Sequence, residues 1–138
     1  MPRRTFASQA TLAIATALAM LFLSFLPASA QERWAAIAPN LENTATVVWA
    51  TTKDQAKKLA VLACKQVSQT CVGQPASTNG MDHVFAVMCC SEPRSGCAAA
   101  VGSSRQVALK EVKRLFSEGG YSQCSLKSYY DAGTGEKG

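Results

Sequence analysis

The sequence predicts an α+β domain, two helices packed on an antiparallel or mixed sheet and reinforced by disulfides. Three observations predict it. Six cysteines, Cys64, Cys71, Cys89, Cys90, Cys97 and Cys124, all lie beyond the first thirty residues, an even count that reads as a disulfide framework. Two stretches carry helical apolar spacing behind a Ser/Thr start. The remaining apolar runs are short, β-branched or Ala-rich, and separated by turn residues.

The first thirty residues come before that domain. Arg3 and Arg4 form a positive start, Leu12 to Leu26 carry no charge, and Pro27-Ala28-Ser29-Ala30 closes with small side chains. That order reads as a signal peptide, 1–30, cleaved before Gln31. The run is shorter than the roughly 20 apolar residues a spanning helix needs. A periplasmic or secreted location is therefore expected, with no stable membrane span after cleavage. Without Arg3 and Arg4 the net charge falls from +5 to +3. Such a mild excess argues against nucleic acid, whose binders concentrate basic residues in a stripe.

Trp34 to Ala38 and Thr44 to Ala50 read as strands around the turn Pro39–Asn43. A helix follows, with Thr51 as cap and Asp54 three residues on. Its expected core stripe is Ala56, Leu59, Ala60, Ala63, Cys64 and Val67, with Lys58 and Lys65 opposite. Cys71 to Ser77 and Met81 to Cys90 read as a hairpin about Asn79-Gly80. The turn Glu92–Gly96 leads to the strand Cys97 to Val101. Ser103, with Gln106 three residues later, opens a second helix whose stripe is Ala108, Val112, Leu115 and Phe116. Gly119-Gly120 stops it. Cys124 to Tyr130 is a last strand, and 131–138 reads as a flexible tail with no large apolar residue.

The order is ββαββ-βαβ, a single domain over 31–130 with two diverged repeats. Trp34 to Ala38 aligns with Cys97 to Val101, and Ala56, Ala60 and Cys64 align with Ala108, Val112 and Phe116, 52 positions later. Trp34-Ala-Ala-Ile-Ala38, the helix Ala56-x-x-x-Ala60-x-x-x-Cys64 leading to Cys71, and Cys97-Ala-Ala-Ala before a helix ending ahead of Cys124 together resemble the domain of unknown function 4189 family of small exported bacterial proteins. The likeness runs over nearly all of the mature chain and implies export and the α+β fold. It implies no activity. Phe116 stands where that pattern places a second helix-end cysteine, and the pair Cys89-Cys90 is additional.

Neighbouring strand residues face opposite sides, so Cys89 and Cys90 should reach different partners. Cys64 with Cys71 closes a short loop. One of Cys89 and Cys90 then meets Cys97 across the turn, and the other meets Cys124. Cys89, Cys90, Cys97 and His83 could offer four metal ligands, but no Cys-x-x-Cys spacing is present. The sequence thus predicts no metal, no cofactor and no catalytic set. Trp34, Trp49, Tyr129 and Tyr130 are the candidate partner-binding residues, since exposed aromatic side chains make good anchors. The expected function is an exported non-catalytic domain binding an envelope or secreted protein. The alternatives are a structural or stress-related envelope component, or a small enzyme using His83 and a free Cys.

Overall fold

The computed structural model describes residues 32–71 and 74–138, so the expected signal segment lies outside the described residues. The elements run β1 (Trp34–Ile37), β2 (Val48–Ala50), α1 (Lys53–Val67), β3 (Ala76–Thr78), β4 (Val84–Glu92), β5 (Gly96–Gly102), α2 (Arg105–Glu118) and β6 (Ser122–Asp131). The chain is α+β, as the short strand runs and the two amphipathic stretches require. The strands divide into two sheets rather than one, ordered β2-β1-β3 and β5-β4-β6, and every pairing is antiparallel.

The division follows from residues that alternate between two covered faces. In β1, Ala35 and Ile37 join Phe85 and Val87 of β4, Ala99 of β5 and Tyr130 of β6 in a core between the sheets. The intervening Ala36 and the following Ala38 pack on Ala56, Ala60 and Cys64 of α1. In β4, the intervening Ala86, Met88 and Cys90 pack on Ala108, Val112 and Phe116 of α2. Each sheet is thus covered on both faces, and the layers run α1, first sheet, second sheet, α2. A strand covered on both faces has no polar side, which is why β4 is buried without a break from Phe85 to Cys90.

Both halves present the element order ββαβ with the first strand central. The strand that occupies the place of β1 is therefore β4, not the Cys97 to Val101 strand with which Trp34 to Ala38 aligns by sequence. The helices do correspond, since Ala56, Ala60 and Cys64 in one and Ala108, Val112 and Phe116 in the other are the buried triads.

Local chemistry sets the ends. The caps are Thr52 and Ser104, one residue later than the expected Thr51 and Ser103. Thr52 Oγ1 accepts from Gln55 N at 3.2 Å and Ser104 Oγ from Val107 N at 3.2 Å. Both sites are hydroxyl doublets, and the frame that buries Ala56 and Ala108 selects the second member. Gly120 takes a positive φ of 74°, and Tyr121 N donates back to Phe116 O at 2.9 Å, closing α2. Gly102 lets β5 run close beneath α2: a Cβ there would lie 2.3 Å from Ala108 N.

Two expectations are corrected. Cys71 to Ser77 and Met81 to Cys90 do not form a hairpin. β3 pairs with β1, β4 pairs with β5 and β6, and Asn79-Gly80 lies in the link between the sheets. Nor is 131–138 a loose tail. Asp131 Oδ1 accepts from Gly133 N at 2.8 Å and Thr134 N at 2.9 Å, which turns the chain back. Tyr129 and Gly138 then exchange two main-chain bonds of 2.9 and 2.8 Å, and Ala132 is fully buried. A carboxylate-capped turn and a returning backbone order this segment without any large apolar side chain.

Candidate functional site

All six cysteines are paired, as Cys64–Cys71, Cys89–Cys97 and Cys90–Cys124. Cys89 lies opposite Cys97 in the β4–β5 register, and Cys90 lies opposite Cys124 in the β4–β6 register. The vicinal pair therefore joins the central strand to both of its neighbours, one cysteine on each face of the sheet. Three disulfides fit an oxidising compartment.

This pairing removes the thiol that a Cys–His enzyme needs, so the reading of His83 with a free Cys is corrected. It also commits Cys89, Cys90 and Cys97, so the four-ligand set with His83 does not form. Among the described residues no three His, Cys, Asp or Glu side chains gather in a metal-holding group. His83 itself serves the link between the sheets. Its Nδ1 lies 2.7 Å from Thr78 Oγ1, which also accepts from Gly80 N at 3.0 Å. Thr78 Oγ1 thus has its hydroxyl proton free for Nδ1. The ring lies over Gly80, where a Cβ would come within 2.5 Å of it. Asp82 Oδ1 is 3.9 Å from Nε2, and its side chain is solvent-facing.

The four aromatic candidates do not form one patch. Tyr129 and Tyr130 are consecutive on β6, so they point to opposite faces. Tyr130 is 3% exposed between the sheets, whereas Tyr129 packs on the α2 cluster beneath the Arg105 guanidinium at 5.0 Å. Trp34 and Trp49 are likewise split. Trp34 joins the α1 cluster, with Lys53 Nζ at 5.9 Å from its ring. Trp49 edges the core between the sheets and donates from Nε1 to Ala132 O at 2.8 Å, with Arg33 stacked at 4.8 Å. Each ring supports a core edge, and each has a cation already laid over or beside it.

An exposed apolar group lies elsewhere, on α1. The expected stripe of six shrinks to Ala56, Ala60 and Cys64, while Leu59 is 44%, Leu62 57% and Val67 60% exposed. The cause is size. Three small residues at i, i+4 and i+8 make a narrow face that seats closely on the alanines of β1, and the larger leucines lie outside it. That pattern of small residues inside and leucines outside is the signal that equal weighting of apolar positions overlooks.

Leu62 sits one turn from Lys58 on one side and one turn from Lys65 on the other. With Lys57, Lys58, Val61, Gln74 and Pro75 it lines an open hollow of about 470 Å³ between α1 and the segment entering β3. Among the described residues Lys57, Lys58 and Lys65 have no carboxylate within ion-pair distance. The second helix differs. Arg114 bonds Glu118 at 2.8 Å and Glu111 at 3.0 Å, and these carboxylates hold its guanidinium above its ordinary pKa. On α2, Arg105, Lys110 and Lys113 likewise form no ion pair among the described residues, so α1 differs in the size of its excess, four lysines against Asp54 alone.

No family model matches the chain, and no curated protein or solved structure matches it either. Among the described residues no helix is long and apolar enough to cross a membrane.

Proposed function

We propose that the chain is an exported, non-catalytic domain that binds another envelope or extracellular protein. The observation that carries this reading is the α1 face, where Leu62 stands in solvent one turn from both Lys58 and Lys65, and the helix carries four lysines against Asp54 alone. Surface leucines occur singly on any protein. Here Leu62 lines an apolar hollow with Val61 and Pro75 beside a local charge excess, which is the composition of a recognition surface. The signal-like segment Met1–Ala30 and the full pairing of six cysteines support export. The likeness to the exported domain of unknown function 4189 family agrees with that location.

Site-by-site photo-crosslinking in intact cells tests the reading. Crosslinkers are placed on the full chain at exposed positions across both helices, β6 and the Glu92–Gly96 turn. A discrete covalent adduct with a second polypeptide at one or more positions is expected. Uniform absence of adducts across the whole set overturns it and leaves a structural envelope component as the better description.

A further inference from the structure

We infer that the hollow beside α1 receives an apolar side chain from an acidic polypeptide segment, whose carboxylates pair with Lys57, Lys58 and Lys65. The inference rests on the partner-binding reading and names the chemistry of the partner.

The apolar part comes from two places in the chain. Val61 and Leu62 project from α1, and Pro75 stands across from them in the segment entering β3. The hollow is shallow and open to solvent. A shallow apolar depression of this kind suits one apolar side chain laid against Val61, Leu62 and Pro75. A bilayer needs a broad apolar face instead, and here Leu62 stands between Lys58 and Lys65.

The charged part is set by what is missing around it. α1 carries Lys53, Lys57, Lys58 and Lys65 against Asp54 alone. Lys53 lies beside the Trp34 ring, and the other three have no acidic neighbour in ion-pair range among the described residues. Lys57 and Lys58 line the hollow and Lys65 lies one turn beyond Leu62, and positive charge around an apolar site selects partners of opposite sign and speeds their encounter. The apolar anchor supplies the residence time.

A second copy of the chain is the obvious rival occupant. On α2, Leu115 is 42% exposed and lies one turn from both Glu111 and Glu118, the acidic counterpart of Leu62 between Lys58 and Lys65. Both of those carboxylates are already held by Arg114, and α2 also carries Arg105, Lys110 and Lys113. That face is positive overall, so α2 of a second copy is a poor complement to α1.

The test uses the oxidised mature chain and a displayed library of random 12-residue peptides. Selected peptides are expected to carry two or more Asp or Glu within four residues of one large apolar residue. Their affinity should fall at least tenfold in the triple variant Lys57→Glu, Lys58→Glu, Lys65→Glu, and at least tenfold in Leu62→Asp. The triple variant should instead bind the same peptides with their acidic residues changed to Lys. Circular dichroism and thermal unfolding of each variant confirm that it is folded. Binding to wild type should weaken as salt rises.

Peptides without acidic enrichment, or affinities indifferent to both variants, overturn the inference while crosslinked partners would leave the broader reading standing. Capture of phosphatidylglycerol vesicles through these lysines, with acidic peptides inert, overturns it in favour of a membrane surface. Sedimentation that shows self-association abolished by Leu115→Asp overturns it in favour of a second copy.

Discussion

Asn40 shows how much one side chain can organise. It is fully buried, and its Nδ2 donates to Thr44 Oγ1 at 2.9 Å while its Oδ1 accepts from Thr44 N at 2.9 Å. Its backbone also bridges to Cys71, and its amide lies 3.6 Å from Cys64 Sγ. One residue therefore holds the β1–β2 loop against the Cys64–Cys71 disulfide. Asn40→Ala leaves these polar groups without partners, and a loss of about 1–3 kcal/mol in denaturant unfolding is expected. Two carboxylates act at the surface. The Thr70 and Ser68 hydroxyls hold Glu42 below its ordinary pKa, and the Thr134 and Gly133 amides do the same for Asp131. A carboxylate with a lowered folded pKa contributes stability above its unfolded value, and that contribution is lost as pH falls through the folded value. The unfolding midpoint should therefore drop on acidification below about pH 4. The double variant Glu42→Gln, Asp131→Asn should flatten that drop, and an unchanged slope would contradict these two assignments. Neither role was legible beforehand. Asn40 read as one turn residue among five, because burial of a polar side chain depends on a disulfide 24 positions away.

The elements were legible where one residue type repeats at one spacing. Both helices, most strand runs and the stop at Gly119-Gly120 follow from local pattern. The partners of β3 do not, because Asn79-Gly80 marks a turn without saying whether the strands on either side share a sheet. Strand alternation did separate Cys89 from Cys90, and the choice of Cys97 for the first and Cys124 for the second awaited the register. Packing shows why Phe116 can stand where α1 has Cys64. Phe116 packs into the α2 cluster and meets Tyr121 edge-on at 5.4 Å between ring centres, so packing anchors α2 where a disulfide anchors α1. The disulfides differ in the chain they close. Cys90–Cys124 spans 34 residues, against 7 for Cys64–Cys71. Loop-closure entropy then makes the first worth about 4 kcal/mol and the second about 2.5 kcal/mol. The pair variant Cys90→Ala, Cys124→Ala should unfold at lower denaturant than Cys64→Ala, Cys71→Ala, and the reverse order would contradict that ranking.

At the scale of the molecule, what holds the fold and what faces a partner are separate. Three apolar layers and three disulfides lie between and beneath the sheets, and Lys57, Lys58 and Lys65 belong to none of the three core clusters. Lys57→Glu, Lys58→Glu, Lys65→Glu should therefore change stability by no more than about 0.5 kcal/mol per site, as remote surface changes do. A cooperative loss of structure would show that these side chains belong to the fold after all. The candidate site was the less legible half of the sequence. Aromatic residues draw attention as anchors, yet here they finish the cores, while the exposed apolar group is Leu62, outside the expected stripe, with Leu59, which helical spacing alone would bury. The central claim is that a fully oxidised scaffold, with no thiol left for chemistry, staples β4 to both neighbours. Partial reduction with stepwise alkylation, followed by peptide mass analysis, tests it most directly because it can resolve the adjacent Cys89 and Cys90. The account predicts Cys64–Cys71, Cys89–Cys97 and Cys90–Cys124 with no free thiol. A free cysteine, or Cys89 joined to Cys124, would contradict it.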